Sequence, residues 1–495
     1  MHEAVRKFEE GLVMAKKERK YDAKYFIKVI IGFIIVWCFG LLPAPEPMTA
    51  VGMRLIGIFF GTIWLFSFAG VIWPSIMAVL AVGYSGAFPS LSAAITAAFG
   101  NTILWQLLIL MPICEAISRS GATQKIAAWL LSRPFVKGNP CRIMFALFLG
   151  TLIEGILISA MAAMLITFAL VATLRDMIGY EKADAWSAST IVGSFIVAFL
   201  GGAALPFRGF IAAMVAPFSK LLGYDLNAAL FVIAAIVIGL LVCIIAPLLM
   251  KYVQRVDMKR LGDFDFAGVF ADDSSFNREQ KILLGGFVLI IIFFVAQMIF
   301  PAKSEIGAVL NGFGANGIFA AVAVLLSLVL ADGKPALNLP LMMKEGMPWG
   351  IFVSVATMIC ITSKFTDDVS GISAWLNVVL SGAVTAMPPA LFVFVVLLIT
   401  VAVTGFFSNL GTCAIMLTAI LPMCGMMGIE PTAMTCAIVL GSYLAVLSPG
   451  GSGACPVLFD NENVTYGSIY KNAIPLLLVF VVLGSAMVLL VSLVA

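Results

Sequence analysis

Long apolar stretches with almost no charge constrain the fold of this chain more than any other feature. Residues 472–494 (NAIPLLLVFVVLGSAMVLLVSLV) hold no charged side chain, and a helix of about 20 such residues crosses the apolar core of a bilayer. Similar stretches recur along all 495 residues, which are 62% hydrophobic and only 11% charged. Soluble domains carry about 25% charged residues. The sequence therefore predicts an all-α polytopic membrane protein.

The spacing of the apolar stretches predicts about 11 transmembrane helices. They are expected at 25–44, 52–69, 71–89, 100–118, 187–222, 227–250, 283–300, 308–331, 347–366, 431–468 and 472–494. Two of these, 187–222 and 431–468, exceed the length of one straight span, and each contains a Gly/Pro break. We therefore expect both to be broken helices.

Two further apolar stretches, 143–177 and 385–428, are predicted to be re-entrant hairpins. Each has room for two short half-helices, with charged or turn residues at both ends. If both stretches enter and leave the membrane on one side, 24 of the 29 Lys and Arg residues fall on the cytoplasmic side. This distribution agrees with the positive-inside rule. It places the N-terminus in the cytoplasm and the C-terminus outside.

The charge distribution also divides the chain into two halves. Residues 1–24 are predicted to form a cytoplasmic amphipathic segment, and 25–252 form the first repeat. A charged cytoplasmic linker at 253–282 separates it from the second repeat, 283–495.

The two repeats have the same order of elements. In each, a span is followed by a hairpin and then by a broken helix, whose break reads LPFR (205–208) or SPGG (448–451). By the predicted topology the two copies run in opposite directions across the membrane, which makes an inverted repeat. Paired interrupted helices at matching positions are the best sequence-level indication of a transporter's binding site.

Composition argues against several kinds of chemistry. The single histidine is His2, and the nine cysteines show no CxxC or CxxH spacing. A structural zinc site and a Ser-His-Asp triad are therefore not expected. We expect no enzymatic activity, no enzymatic cofactor and no nucleic-acid partner. The expected partners are the lipid bilayer and a small solute.

A polar break between two apolar runs, TGFFSNLGTC (404–413), requires an explanation. Unpaired polar groups at membrane depth are costly, so this segment either reaches the surface or binds something. Helix N-termini at a hairpin tip offer unpaired N–H groups to an anion, whereas helix C-terminal ends offer carbonyl oxygens to a cation. We interpret the polar residues of this break as contacts for an ion and for an anionic substrate.

The sequence resembles the divalent anion/sodium symporter family of dicarboxylate, citrate and sulfate transporters. The order of elements carries the likeness, together with LPAPEP…GMRLIGIFFGTI (42–63) and FGNTILW…SRSGATQKIAAWL (99–130). The resemblance covers nearly the whole chain. It implies a homodimeric secondary active transporter in the cell inner membrane, coupled to Na⁺ or H⁺. The implied substrates are small divalent anions, di- or tricarboxylates foremost, and the implied mechanism is an elevator motion.

The resemblance also implies binding residues in the second half. Ser408 and Asn409 match the first two positions of the family's Ser-Asn-Thr hairpin tip, whereas Leu410 stands where Thr is expected. The implied sodium site consists of Thr404, Phe407, Asn409 and Leu447. The expected substrate-binding residues of this half are Ser408, Asn409, Ser448, Pro449 and Gly450. In the first half, Ser159, Arg208 and the amides near Gly201–Gly202 are expected to face them.

The first half departs from the family pattern. Its hairpin has no Ser-Asn-Thr and retains only Ser159 as a small polar tip, while two charges, Glu154 and Arg208, lie in the elements that would build an ion site. Such charges are rare at membrane depth. Arg208 is interpreted as replacing a sodium ion or clamping a substrate carboxylate, and Glu154 as its counter-ion or a proton-coupling acid. Snorkelling of Arg208 and helix capping by Glu154 are the alternatives.

The sequence is also compatible with three other functions. A sodium-independent exchanger or a proton-coupled carrier would keep the fold and fits the altered first half. An anion channel would need no elevator motion. An intramembrane enzyme has the least support, because no nucleophile–base pair appears in the spans.

Overall fold

The fold is known from a computed structural model. The structure describes residues 23–215, 226–264, 275–300, 304–347, 349–365, 367–372, 374–375, 378, 387–405, 409–448, 451–452 and 454–494. Within these ranges nearly all regular structure is helical. The exception is a short antiparallel ribbon, in which strand β1 (Leu330–Ala331) pairs with strand β2 (Lys334–Pro335).

The first half contains eleven described helices. They are α1 Ala23–Cys38, α2 Ala50–Ala69, α3 Ile72–Tyr84, α4 Leu91–Phe99, α5 Thr102–Arg119, α6 Ala122–Leu131, α7 Pro140–Leu157, α8 Ala160–Ile178, α9 Ala185–Gly202, α10 Gly209–Val215 and α11 Ala228–Leu248. Short 3₁₀ turns follow at Phe39–Leu41 and Pro134–Val136, and a π-helical turn at Leu249–Val253 extends α11.

The linker and the second half continue the helical pattern. The described helices there are α12 Lys259–Asp263, α13 Arg278–Ile299, α14 Glu305–Leu328, α15 Leu339–Glu345, α16 Trp349–Thr362, α17 Pro389–Thr404, α18 Asn409–Met427, α19 Pro431–Tyr443, α20 Cys455–Phe459 and α21 Tyr466–Val494. The predicted N-terminal segment, 1–24, lies almost entirely outside the described residues.

The helices identify an all-α polytopic membrane protein, as the sequence predicts. Seven described helices are long and apolar enough to cross a bilayer, or eight if α4 and α5 form one bent span. These seven are α7, α8, α9, α11, α13, α14 and α21. The predicted crossings also coincide with shorter apolar helices such as α3 and α16, so length alone does not give the number of spans.

Helices α7 and α8 form a hairpin that closes at Ile158–Ser159. The Thr151 and Thr167 hydroxyl oxygens lie 2.9 Å apart across the two arms, which requires the arms to run antiparallel. Helices α17 and α18 likewise pack against each other beyond a short connection. The arms hold 16 to 19 residues, so they are longer than the short half-helices expected from the sequence.

Each hairpin is followed by an interrupted helix. Helix α9 ends at Gly202 and α10 begins at Gly209, whereas α19 ends at Tyr443 and α20 begins at Cys455. A Cβ on Gly155 would come within 2.6 Å of the Ala198 carbonyl oxygen. The missing side chain therefore lets the first hairpin lie directly against α9.

The helices pack in two groups. A hairpin group comprises α7–α9, α11, α17–α19 and α21, and a scaffold group comprises α2–α5, α13, α14 and α16. Helix α10 contacts α18 and α19 of the first group as well as α5 and α16 of the second. The interruption before α10 thus lies where both halves of the chain and both groups meet.

Candidate functional site

The polar break of the second hairpin forms a buried cluster of oxygen atoms. Thr404 ends α17 and Asn409 begins α18, with exposed fractions of 0% and 6%. The Thr404 hydroxyl donates to the Ser442 carbonyl oxygen at 2.5 Å and lies 3.3 Å from Asn409 Oδ1. We call Thr404 Oγ1, Asn409 Oδ1 and the Ser442 carbonyl oxygen the second-half oxygen cluster.

The second-half oxygen cluster has more acceptors than protons. Thr404 has one hydroxyl proton and faces two acceptor oxygens, which cannot both receive it. The nearby Thr412 hydroxyl is buried and makes no hydrogen bond within the described part of the chain. Neutral hydroxyl, amide and carbonyl oxygens are the ligands that hard cations prefer. The cluster therefore has the chemistry of a site for a small cation.

The second helix break is tied to the same hairpin. The Ser448 hydroxyl donates to the Gly405 carbonyl oxygen at 2.6 Å. The Leu447 side chain packs so closely on Gly405 that a Cβ there would lie 2.6 Å from Leu447 Cβ. The structure thus brings together Thr404, Asn409, Leu447 and Ser448 around the end of α17. The other implied residues of this half, Phe407, Ser408, Pro449 and Gly450, lie outside the described residues.

In the first half, Ser159 caps a helix. Its hydroxyl accepts a hydrogen bond from the Ala162 N–H at 3.1 Å at the start of α8, and its side chain is exposed. The adjacent pair Gly201–Gly202, expected to offer amides to an anion, ends α9 and packs against the hairpin. That expectation is wrong in detail, because the C-terminal end of a helix presents carbonyl oxygens and not amides.

Arg208 lies in the break between α9 and α10 and reaches across to the first hairpin. Its Nη1 donates to the Ile156 carbonyl oxygen, and to that of Gly155 at 3.3 Å. The side chain is only 5% exposed, so it does not snorkel to an interface. Helix α10, which begins one residue after Arg208, contacts both α5 and α19. Arg208 therefore sits where α5, α7 and α19 approach one another.

Glu154 does not pair with Arg208. Its side chain is fully buried, and neither carboxylate oxygen has a hydrogen-bond partner in the described part of the chain. The expectation that Glu154 is the counter-ion of Arg208 is therefore not met by the geometry. Glu154 does not cap the hairpin either, since it lies in the last turn of α7 and its carboxylate bonds no backbone N–H.

A polar link between the two halves was not predicted from the sequence. Arg175, in the last turn of α8, donates to the side chains of Glu462 and Asn463, which follow α20. Glu462 also pairs with Lys182 at 2.7 Å. The guanidinium is 5% exposed. Its position near a helix end was visible in the sequence, but its partners lie almost 290 residues away.

These features define a class of protein. The chain is a multi-pass α-helical membrane protein with an oxygen-lined, cation-compatible centre at one helical hairpin and a buried guanidinium at the other. Among the described residues, no group of three or more His, Cys, Asp and Glu side chains could hold a metal ion.

Comparison with known proteins identifies the family. A family model described as the sodium:sulfate symporter transmembrane region matches residues 22–493. The chain belongs to the sodium:sulfate symporter family, which confirms the resemblance drawn from the sequence. No curated protein matches the chain. Membership makes the protein a secondary transporter of small anionic solutes, with Na⁺ as the family's coupling ion.

Proposed function

We propose that this protein carries small divalent anions, di- or tricarboxylates foremost, together with Na⁺ by an elevator motion. The observation that carries the proposal is the second-half oxygen cluster, where Thr404, Asn409 and the Ser442 carbonyl converge in a buried position. An uncharged cluster of oxygen atoms at a helix end suits a small hard cation. In this proposal sodium is a transported ion and not a permanently bound cofactor.

The anion would bind beside this cation. Helix α18 begins at Asn409, so its unpaired N–H groups and the positive end of its dipole attract negative charge. Ser408, Ser448, Pro449 and Gly450 complete the proposed substrate pocket in this half. Ser159 and Arg208 are the candidates from the first half, and contacts of α10 with α18 and α19 support a shared pocket.

Coupling follows from this proximity. A cation held near the anion attracts it by Coulomb's law, strongly so in a pocket with little water. Each ligand then raises the other's affinity by the same factor, because coupling free energies are reciprocal. A carrier whose cation and anion sites share one hairpin therefore binds them together.

An elevator mechanism is supported by the two packing groups. The hairpins and interrupted helices belong to the hairpin group, which would move as a body against the scaffold group. The matching order of hairpin and interrupted helix in the two halves supports an inverted repeat. We further propose a homodimer in the cell inner membrane with a cytoplasmic N-terminus, as the distribution of basic residues favours.

Uptake by the purified protein in liposomes tests this function. An inward Na⁺ gradient should drive saturable uptake of succinate or citrate, with sulfate as the inorganic competitor. Replacing external Na⁺ by K⁺ should reduce the initial rate at least about tenfold, as expected when a coupled ligand worth about 1.4 kcal/mol is withdrawn. Equal rates in Na⁺ and K⁺ would overturn sodium coupling. Uptake that does not saturate would indicate a channel.

Proton coupling or anion exchange is the second candidate. The observation that favours it is Glu154, a buried carboxyl group with no hydrogen-bond partner in the part of the chain that the structure describes. Buried acids inside membrane domains commonly relay protons. Uptake driven by an inward proton gradient without Na⁺, and lost in Glu154→Gln, would establish it. Uptake that requires preloaded internal anion would establish exchange.

A further inference from the structure

The last carbonyl groups of α7 have no hydrogen-bond partner within the helix itself. Within a helix each carbonyl accepts from the N–H four residues on, but the last ones have no such partner. Ser159 begins the next helix as its N-cap, so the Gly155 and Ile156 carbonyls lack that continuation. The Arg208 guanidinium donates to both. A positive group thus occupies the negative end of the helix dipole.

At the equivalent end of α17, no positively charged group makes a hydrogen bond among the residues that the structure describes. The Gly405 carbonyl accepts a hydrogen bond from the Ser448 hydroxyl, and the Thr404 hydroxyl donates one to the Ser442 carbonyl. All of these contacts are neutral. Within the described ranges, the two hairpins therefore differ chemically: the end of α7 contacts a guanidinium, whereas the end of α17 contacts neutral oxygens.

No carboxylate of the described residues forms an ion pair with Arg208, and the Glu154 carboxylate makes no hydrogen bond to it. A buried, unpaired charge is costly. Helix-end carbonyls relieve part of this cost, and a bound dianion would relieve more.

We propose that Arg208 acts as a built-in cation of the first half, so that one Na⁺, bound in the second half, accompanies each dianion. The inference rests on the proposed function and refines it, because it fixes the ion stoichiometry and assigns Arg208 to positioning and charge balance. A guanidinium that stays bound to the hairpin travels with it and is not released. One dianion with one Na⁺ then moves one net negative charge per cycle.

The wild-type protein alone can test the stoichiometry. In proteoliposomes, initial rates of succinate uptake against Na⁺ concentration should give a Hill coefficient near one. An inside-positive potential, set with K⁺ and valinomycin, should accelerate uptake, because negative charge moves inward. A coefficient near two, with rates independent of potential, would overturn the proposal, since two Na⁺ per dianion carry no net charge.

Substitutions of Arg208 test its role directly. Arg208→Gln should raise the succinate KM about tenfold at fixed Na⁺, the scale expected for losing one charge-assisted interaction. Arg208→Lys should keep a Hill coefficient near one, because the positive charge remains. The matched control is Arg142→Gln, an exposed arginine in the first turn of α7, the helix whose C-terminal end Arg208 contacts. It should behave as wild type.

The outcomes separate this inference from the proposed function. No Na⁺-dependent uptake by the wild type would refute the proposed function itself. Na⁺-dependent uptake with unchanged KM in Arg208→Gln would refute only the role of Arg208. Arg208→Gln is set aside if thermal unfolding in detergent shows that it does not fold. In that case the Hill coefficient of Arg208→Lys and the potential dependence of the wild type test the role of Arg208 and the stoichiometry.

Discussion

Thr404 shows how one hydroxyl can connect three helices. It is fully buried at the end of α17 and contacts both the Ser442 carbonyl and the Asn409 amide oxygen. Backbone and side chain of three elements, α17, α18 and α19, thereby converge on one point. In the proposed sodium site, this one oxygen atom would be a ligand.

Replacing Thr404 by Val should weaken sodium dependence while preserving the shape of the residue. We expect the Na⁺ concentration for half-maximal uptake to rise about tenfold, because losing one buried ligand costs on the order of 1–2 kcal/mol. The control is Thr400→Val, one turn earlier on α17. Thr400 is also fully buried, but its hydroxyl bonds only the Val396 carbonyl of its own helix. Equal sodium curves for both variants would contradict the assignment.

At the scale of elements, a polar link joins the first hairpin to the second interrupted helix. Arg175 at the end of α8 reaches Glu462 and Asn463 after α20. Hydrogen bonds from Lys182 and Arg175 lower the pKa of Glu462 below its ordinary value of 4.5. A lowered pKa in the folded state means that the ionised carboxylate stabilises the fold.

The pH dependence of this link has a definite sign. Its contribution is present above the ordinary carboxyl pKa and is lost as the pH falls through the lowered folded-state pKa. Glu462→Gln should therefore unfold at a lower temperature than wild type at pH 7, and the difference should vanish in acid. Glu181→Gln, an exposed glutamate without an ion pair in the described part of the chain, is the control. A difference that is the same at every pH would argue against the ion pair.

At the scale of the whole molecule, transport by an elevator requires the two packing groups to slide past each other. The Phe207 ring, beside Arg208, stacks on Phe294 of α13 at a centroid distance of 5.5 Å. This contact joins the interrupted helix to the scaffold group. By contrast, Gln106 and Asn316 hydrogen-bond at 2.8 Å between α5 and α14, inside the scaffold group.

Cross-linking tests this motion. Bridging Phe207→Cys to Phe294→Cys with Hg²⁺ should stop uptake, and dithiothreitol should restore it. The pair Gln106→Cys and Asn316→Cys should tolerate the same bridge. Cys38 and Cys141, the two native cysteines that are not buried, are replaced by Ser in both backgrounds. Full uptake with the Phe207–Phe294 bridge in place would exclude relative movement at this contact.

Sequence reasoning predicted the helical elements well because membranes leave few alternatives. Apolar length and Gly/Pro breaks identified the interrupted segments, since backbone polar groups in lipid must be satisfied by helices. The polar residues of the second hairpin, Thr404 and Asn409, were also visible as exceptions to an apolar pattern. The lengths of the hairpin arms could not be predicted, because a run of apolar residues does not show where a helix ends.

What the sequence by itself determined is the class of protein, its family and the residues that stand out against an apolar background. Hydropathy and local propensity act along the chain, so they can be read from neighbouring residues. Only the tertiary structure decided which groups meet. It placed Arg208 on the Gly155 and Ile156 carbonyls and gave Glu154 no hydrogen-bond partner among the described residues, because contacts between distant segments depend on packing in three dimensions.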